Sequence, residues 1–135
     1  MYCRWMGIKT NISVLIVDDD PSSRTLLSGF LCTYYQTVIC AESAEAALRL
    51  FESTSFDVVI SDFNMPGMDG ARLTCQMKKK KDIPVIGISG EENLDLFESA
   101  GADYCLSKPL SLLHLLKTVQ DSVSEKGPES ERSEV

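Results

Sequence analysis

Phe56-Asp-Val-Val-Ile-Ser-Asp62, followed at once by Phe63-Asn-Met-Pro-Gly-Met-Asp-Gly70, is the stretch that decides the fold. Its apolar middle is uninterrupted, as expected for a strand covered on both faces. It ends on a carboxylate, and the Pro66, Gly67 and Gly70 that follow belong to turns. The pattern recurs on either side. Val14-Leu-Ile-Val17 runs into Asp18-Asp19-Asp20, and a later apolar stretch is followed by Lys108 beside Pro109. If these strands lie parallel in one sheet, their end residues crowd into a crevice beyond the carboxyl ends, where ligands of open α/β sheets bind. Carboxylates gathered there need a cation.

The intervening segments have helical periodicity. Ser13 to Val17 predicts a strand, and Leu26, Leu27, Phe30 and Leu31 form a helical stripe opened by Asp20 as a cap ahead of Pro21. Thr37 to Cys40 is a weaker strand, and Ser43 caps a helix over Ala44 to Glu52. Asp57 to Ser61 is the third strand. Leu73 and Met77 mark a helix that ends in Lys78 to Lys81, where cations suit the negative end of the helix dipole. Pro84 to Ser89 is the fourth strand, Asn93 to Ala100 a short helix stopped by Gly101, and Tyr104 to Ser107 the fifth strand. Leu110 to Val123 closes the series as a helix bearing Leu112, Leu113, Leu115, Leu116 and Val119. This alternation predicts an α/β fold, a doubly wound five-stranded parallel sheet with helices on both faces.

The chain has 135 residues, 44% of them hydrophobic and 24% charged, which are ordinary values for a single globular domain. The apolar runs fall far short of the roughly 20 residues needed to cross a bilayer, and the N-terminal segment lacks the apolar stretch of a secretory leader. The expectation is a cytoplasmic protein without membrane contact. A net charge of -7 argues against direct binding of nucleic acid, whose phosphates demand a basic face. The five cysteines are odd in number and widely spaced, as free thiols are, and indicate neither a disulfide framework nor a zinc site. The organisation expected is an N-terminal extension over 1–11, one folded domain over 12–124 and a flexible acidic tail over 125–135.

The chemistry open to such a crevice follows from its residue types. Magnesium takes oxygen ligands and is usually held by one or two carboxylates together with waters. Asp19 and Asp62 could bind it directly, with Asp18 acting through a water and the carbonyl of Asn64 supplying another oxygen. Without metal, mutual repulsion raises at least one carboxyl pKa. A carboxylate so placed can attack phosphorus to give an acyl phosphate, whose three phosphoryl oxygens would be shared among the metal, the Lys108 ammonium and the Ser89 hydroxyl with the Gly90 N–H. Asp20, ahead of Pro21, is read as a helix cap only.

Val17-Asp-Asp, Asp62 with Met65-Pro-Gly-Met-Asp-Gly70, Ser89-Gly90 and Lys108-Pro109 together resemble the receiver domain of two-component response regulators, including the chemotaxis type, from about Ser13 to about Val123. The resemblance implies a flavodoxin-like sheet of order 2-1-3-4-5. It implies that Asp62 is the phosphorylation site, charged with Mg²⁺ by a histidine kinase or phosphotransfer protein. It gives Asp18 and Asp19 the metal, Lys108 the phosphoryl group and Ser89 the part of switch hydroxyl. Such a protein is a phosphoacceptor that assists its own phosphorylation and dephosphorylation, not an enzyme acting on external substrates. Its output is altered binding of a downstream protein target, as a monomer or a phosphorylation-dependent dimer.

Two departures from the family stand out. Cys105 occupies the switch position where receivers usually carry an aromatic residue, with Tyr104 displaced by one and pointed to the opposite face of the sheet. The stretch from Ser89 to Lys108 is short, trimming the fourth helix. These departures keep open a receiver-like docking module that takes no phosphate. A haloacid-dehalogenase-like phosphatase is a further rival, with Asp18 as nucleophile and Asp20 as acid/base. Lys78 to Lys81 read as a solvated helix end, and His114 as an ordinary helix residue.

Overall fold

The computed structural model describes residues 10–125. Most of the N-terminal extension and the acidic tail lie outside the described residues. The elements run β1 (Thr10–Val17), α1 (Pro21–Leu31), β2 (Tyr35–Ala41), α2 (Ala44–Ser53), β3 (Val58–Asp62), α3 (Gly70–Lys80), β4 (Val85–Ser89), α4 (Leu94–Ala100), β5 (Tyr104–Ser107) and α5 (Leu112–Glu125), with a 3₁₀ turn over Glu91–Asn93 before α4. All strand pairs are parallel and the sheet order is β2-β1-β3-β4-β5, the expected flavodoxin-like topology. The order reverses between β1 and β3, so the crevice opens where Asp18 follows β1 and Asp62 ends β3.

Strand alternation divides the core. Val14, Ile16, Val58, Ile60, Ile86 and Ile88 pack on one face with Leu27 and Leu31 of α1 and Leu115, Leu116 and Val119 of α5. Leu15, Val17, Val59 and Val85 turn to the other face, against Ala44, Ala47 and Phe51 of α2 and Leu73 and Met77 of α3. Because the period is two residues, this division sends every strand-end side chain to a defined side.

Side chains cap four helices and thereby set where each begins. Asp20 accepts from Ser22 N at 3.4 Å and from Ser23 Oγ at 2.9 Å. Ser43 Oγ accepts from Ala46 N at 3.1 Å, and Asp69 Oδ1 from Arg72 N at 2.8 Å. Ser111 Oγ accepts from His114 N at 3.2 Å, so α5 starts at Leu112 instead of Leu110. α4 ends as expected on Gly101, whose φ of 106° lies in the left-handed region that favours glycine.

Other expectations need correction. β1 begins at Thr10 rather than Ser13, because Thr10 N donates to Tyr34 O at 3.0 Å; a register shift between Thr10 and Ser13 breaks the apolar pattern there. The lysines ending α3 are not simply solvated. Lys78 Nζ meets Asp103 Oδ2 at 2.6 Å and donates to Ile83 O at 2.8 Å, and Lys81 Nζ lies 5.2 Å from the centre of the Phe51 ring. Leu113, read as part of the apolar stripe of α5, is 72% exposed, because the buried arc takes Leu115, Leu116 and Val119 instead.

A third, smaller cluster explains how the fold accommodates Cys105. Cys105 and Gly87 are register partners on β5 and β4, and neither carries a bulky side chain. Phe97 of α4 fills the space: it is fully buried, and a Cβ on Gly87 would stand 2.5 Å from its ring. The ring meets Phe63 edge-on at 5.6 Å, and Ala71 completes the cluster. Gly70 is required for the same close approach, since a Cβ there would collide with the carbonyl of Asp62 and the tip of Phe97. Tyr104, by alternation, packs on the opposite face against the α1 and α5 side.

Candidate functional site

Asp18 follows β1, with its backbone N–H donating to Ala41 O at 3.1 Å and its Oδ1 accepting from Asp20 N at 2.9 Å. Asp62 is the last residue of β3 and is paired in register with Ile88 of β4. Both carboxylates are buried, at 8% and 6% exposure, whereas Asp19 between them is exposed. One carboxylate oxygen from each of Asp18, Asp19 and Asp62 lies within 4.8 Å of the others. From the end of β5, Lys108 reaches in and places Nζ 2.7 Å from Asp62 Oδ1. Among the described residues no hydrogen-bond donor is aligned on that buried oxygen, and the ion pair with Lys108 is its one partner.

The charges explain the proton affinities. Burial pushes the Asp18 carboxyl above its ordinary range and the Asp62 and Asp19 charges add to this, while the Asp20 N–H and the Lys108 ammonium oppose it. The expectation of a raised carboxyl pKa is met at Asp18, with burial as the larger cause. Its close contact with the Asp62 carboxylate holds the Lys108 ammonium above the usual lysine value against a smaller effect of burial, and the surrounding carboxylates reinforce it.

The remaining candidates stand at different depths. Ser89 ends β4 fully buried, and its Oγ donates to Gly90 O at 2.8 Å instead of facing Asp62. Its own carbonyl accepts from Lys108 N at 3.0 Å, which ties the ends of β4 and β5 together. Asn64 is exposed in the loop two residues beyond Asp62, and Cys105 is half-buried against the Phe97 cluster. Asp20 stays outside the acidic group because its carboxylate caps α1, which removes the acid/base required by the phosphatase reading. His114 is exposed on α5.

Asp18, Asp62 and Lys108 line an open cleft of about 340 Å³ whose other wall is Ser23, Leu26, Leu27, Ile88, Pro109 and Leu110. That apolar wall was missed in the sequence, where Leu26 reads as core. It is 58% exposed. Oxygen-only donors suit a hard divalent cation, and three carboxylates facing one ammonium leave negative charge for it to offset. The residues present therefore fit magnesium.

The family model for the response regulator receiver domain matches residues 14–120. The chain belongs to that family. This receiver is 37% identical over 114 residues to the sensor histidine kinase RcsC of Salmonella typhi, an alignment covering 81% of the chain but 12% of the kinase. A receiver domain protein from Clostridium thermocellum superposes with a TM-score of 0.80 at 28% identity, covering 85% of this chain and 96% of that one. The chemotaxis protein CheY4 of Vibrio cholerae gives 0.75 at 31% identity, over 84% and 99%. The receiver thus spans nearly all of these solved domains but only about a tenth of the curated relatives it matches first.

Proposed function

We propose that this receiver takes a phosphoryl group onto Asp62 from a phosphohistidine on a histidine kinase or phosphotransfer protein, and that the change alters its binding to a downstream protein target in the cytoplasm. The observation that carries the reading is the meeting of three carboxylates within 4.8 Å with an ammonium 2.7 Å from the central one, all on one cleft.

In this reading an Asp62 carboxylate oxygen forms the new P–O bond as the donor's P–N bond breaks, and the departing imidazole keeps the bond electrons and takes a proton. Asp18, Asp19 and Asp62, with the Asn64 carbonyl, would hold Mg²⁺, which when bound would supply positive charge to the phosphoryl oxygens. Lys108, now paired with Asp62 Oδ1, transfers its ammonium to a phosphoryl oxygen. Ser89 gives up its bond to Gly90 O and turns its hydroxyl inward. These two movements pull on the ends of β4 and β5, which are already joined through Lys108 N and Ser89 O, and repack the adjoining surface.

The test is labelling with acetyl phosphate in Mg²⁺, read by intact mass and by peptide mapping. Wild type gains one hydroxylamine-labile phosphoryl group at Asp62, and Asp62→Asn gains none. A label that persists in D62N, or maps to Asp18, sinks the proposal.

A further inference from the structure

We propose that Arg24 is a positioning residue for the metal-holding loop, and that it acts by fixing the peptide plane between Asp18 and Asp19. This rests on the reading that the acidic cleft takes Mg²⁺. Arg24 lies in α1 with its side chain half-buried, and its Nη1 donates to the Asp18 carbonyl at 2.8 Å. The contact completes the restraint of Asp18, whose N–H is held by Ala41 O and whose carboxylate is held by Asp20 N.

Asp19 has no such support. It is exposed, and its carboxylate accepts no hydrogen bond among the described residues, so its direction depends on the peptide that carries it. The carbonyl of that peptide is the atom Arg24 holds. A guanidinium suits the task because its planar fork is rigid and remains charged at any working pH. Being a cation, it cannot itself ligate the metal. Groups that orient ligands in this way typically contribute 10–100-fold to metal affinity.

The sign of the effect separates positioning from simple charge. Arg24 puts positive charge beside the acidic loop, so on Coulombic grounds alone its removal would tighten binding of a cation. Loss of positioning would loosen it.

Mg²⁺ alone is titrated calorimetrically into the full chain of wild type, R24A, R24K and D19N, with melts in EDTA to verify folding. The expectation is Mg²⁺ binding weakened about 10–100-fold in R24A. R24K, which keeps a donor within reach of the carbonyl, recovers part of the loss. The apo melting temperatures stay close to wild type. Unchanged or tighter binding in a folded R24A overturns the proposal. Should R24A not fold, R24Q takes its place with the same expectation, since its amide is too short to reach the Asp18 carbonyl. Binding by wild type but not by D19N upholds the metal site whatever Arg24 does. A wild type that takes up no Mg²⁺ ends both readings.

Discussion

Replacing Asp18 by asparagine should make the metal-free protein more stable. Asp18 and Asp62 are buried carboxylates with oxygens no more than 4.8 Å apart. At that distance Coulomb's law gives a repulsion of about 3.5 kcal/mol at an effective dielectric of ~20 and about 0.9 kcal/mol in bulk water. Asparagine removes the charge and lessens the penalty of burial while keeping an oxygen to accept from Asp20 N. It also forfeits attraction to Lys108, which reduces the gain. A net stabilisation of about 1–2 kcal/mol is therefore expected, and a domain of this size responds with roughly 3–5 °C in Tm per kcal/mol.

The pH dependence has a definite sign. The folded-state pKa of Asp18 is raised, so the stability linked to its protonation is fully present below the unfolded carboxylate value of about 3.9 and is lost as pH rises through the folded value. In EDTA the advantage of D18N should be full at pH 7–8 and vanish near pH 3. Magnesium reverses the ranking of responses: wild type gains about 1.4 kcal/mol at ten times its dissociation constant, whereas D18N gains much less. Melts of both proteins in EDTA and across a Mg²⁺ titration decide the matter. A D18N protein that melts at or below wild type in EDTA at neutral pH, or that gains equally from Mg²⁺, would refute the account of the site.

Asp20→Ala removes the cap of α1 and should lower Tm while leaving the Mg²⁺-induced rise in Tm intact, as thermal melts with and without metal will check. Gly87→Ala drives a methyl into the Phe97 ring; a loss of about 1–3 kcal/mol is expected by urea unfolding, and relief of it in the double variant Gly87→Ala/Phe97→Leu would locate the strain at that contact. Lys108→Met should leave Asp62 able to accept phosphate only slowly, and should raise the pH at which Asp18 ionises, measured by carboxyl NMR titration. Because the Lys108 pKa is raised, its ion pair contributes fully below the ordinary lysine value of about 10.4 and is lost only as pH climbs through the higher folded value, so K108M and wild type should show parallel pH–stability curves between pH 7 and 9.

The strand ends were legible in the sequence because each announces itself locally. A buried parallel strand needs a short continuous apolar run, and an aspartate or lysine directly after such a run in this topology has one place to go. The caps at Asp20 and Ser43 were equally local, since a side-chain oxygen reaches only the amides of its own first turn. Phe97 was not legible. On a helix of seven residues its stripe is too short to show periodicity, and its importance comes from the absence of side chains at Gly87 on another strand. Lys78 was misread for a similar reason: its partner Asp103 stands 25 residues on, just before β5, and a run of lysines gives no sign of which one turns inward.

What the sequence by itself determined is the alternation of elements, the identity of the acids and the amine, and the family to which their order belongs, because periodicity, capping and strand termination act over a few residues. Only the tertiary structure decided that Lys108 rests on Asp62, that the Ser89 hydroxyl faces Gly90 O, and that Arg24 holds the carbonyl of Asp18. Those outcomes depend on strand register, rotamer and close packing between segments remote in the chain, where differences of an ångström select one partner over another and no local pattern encodes the choice.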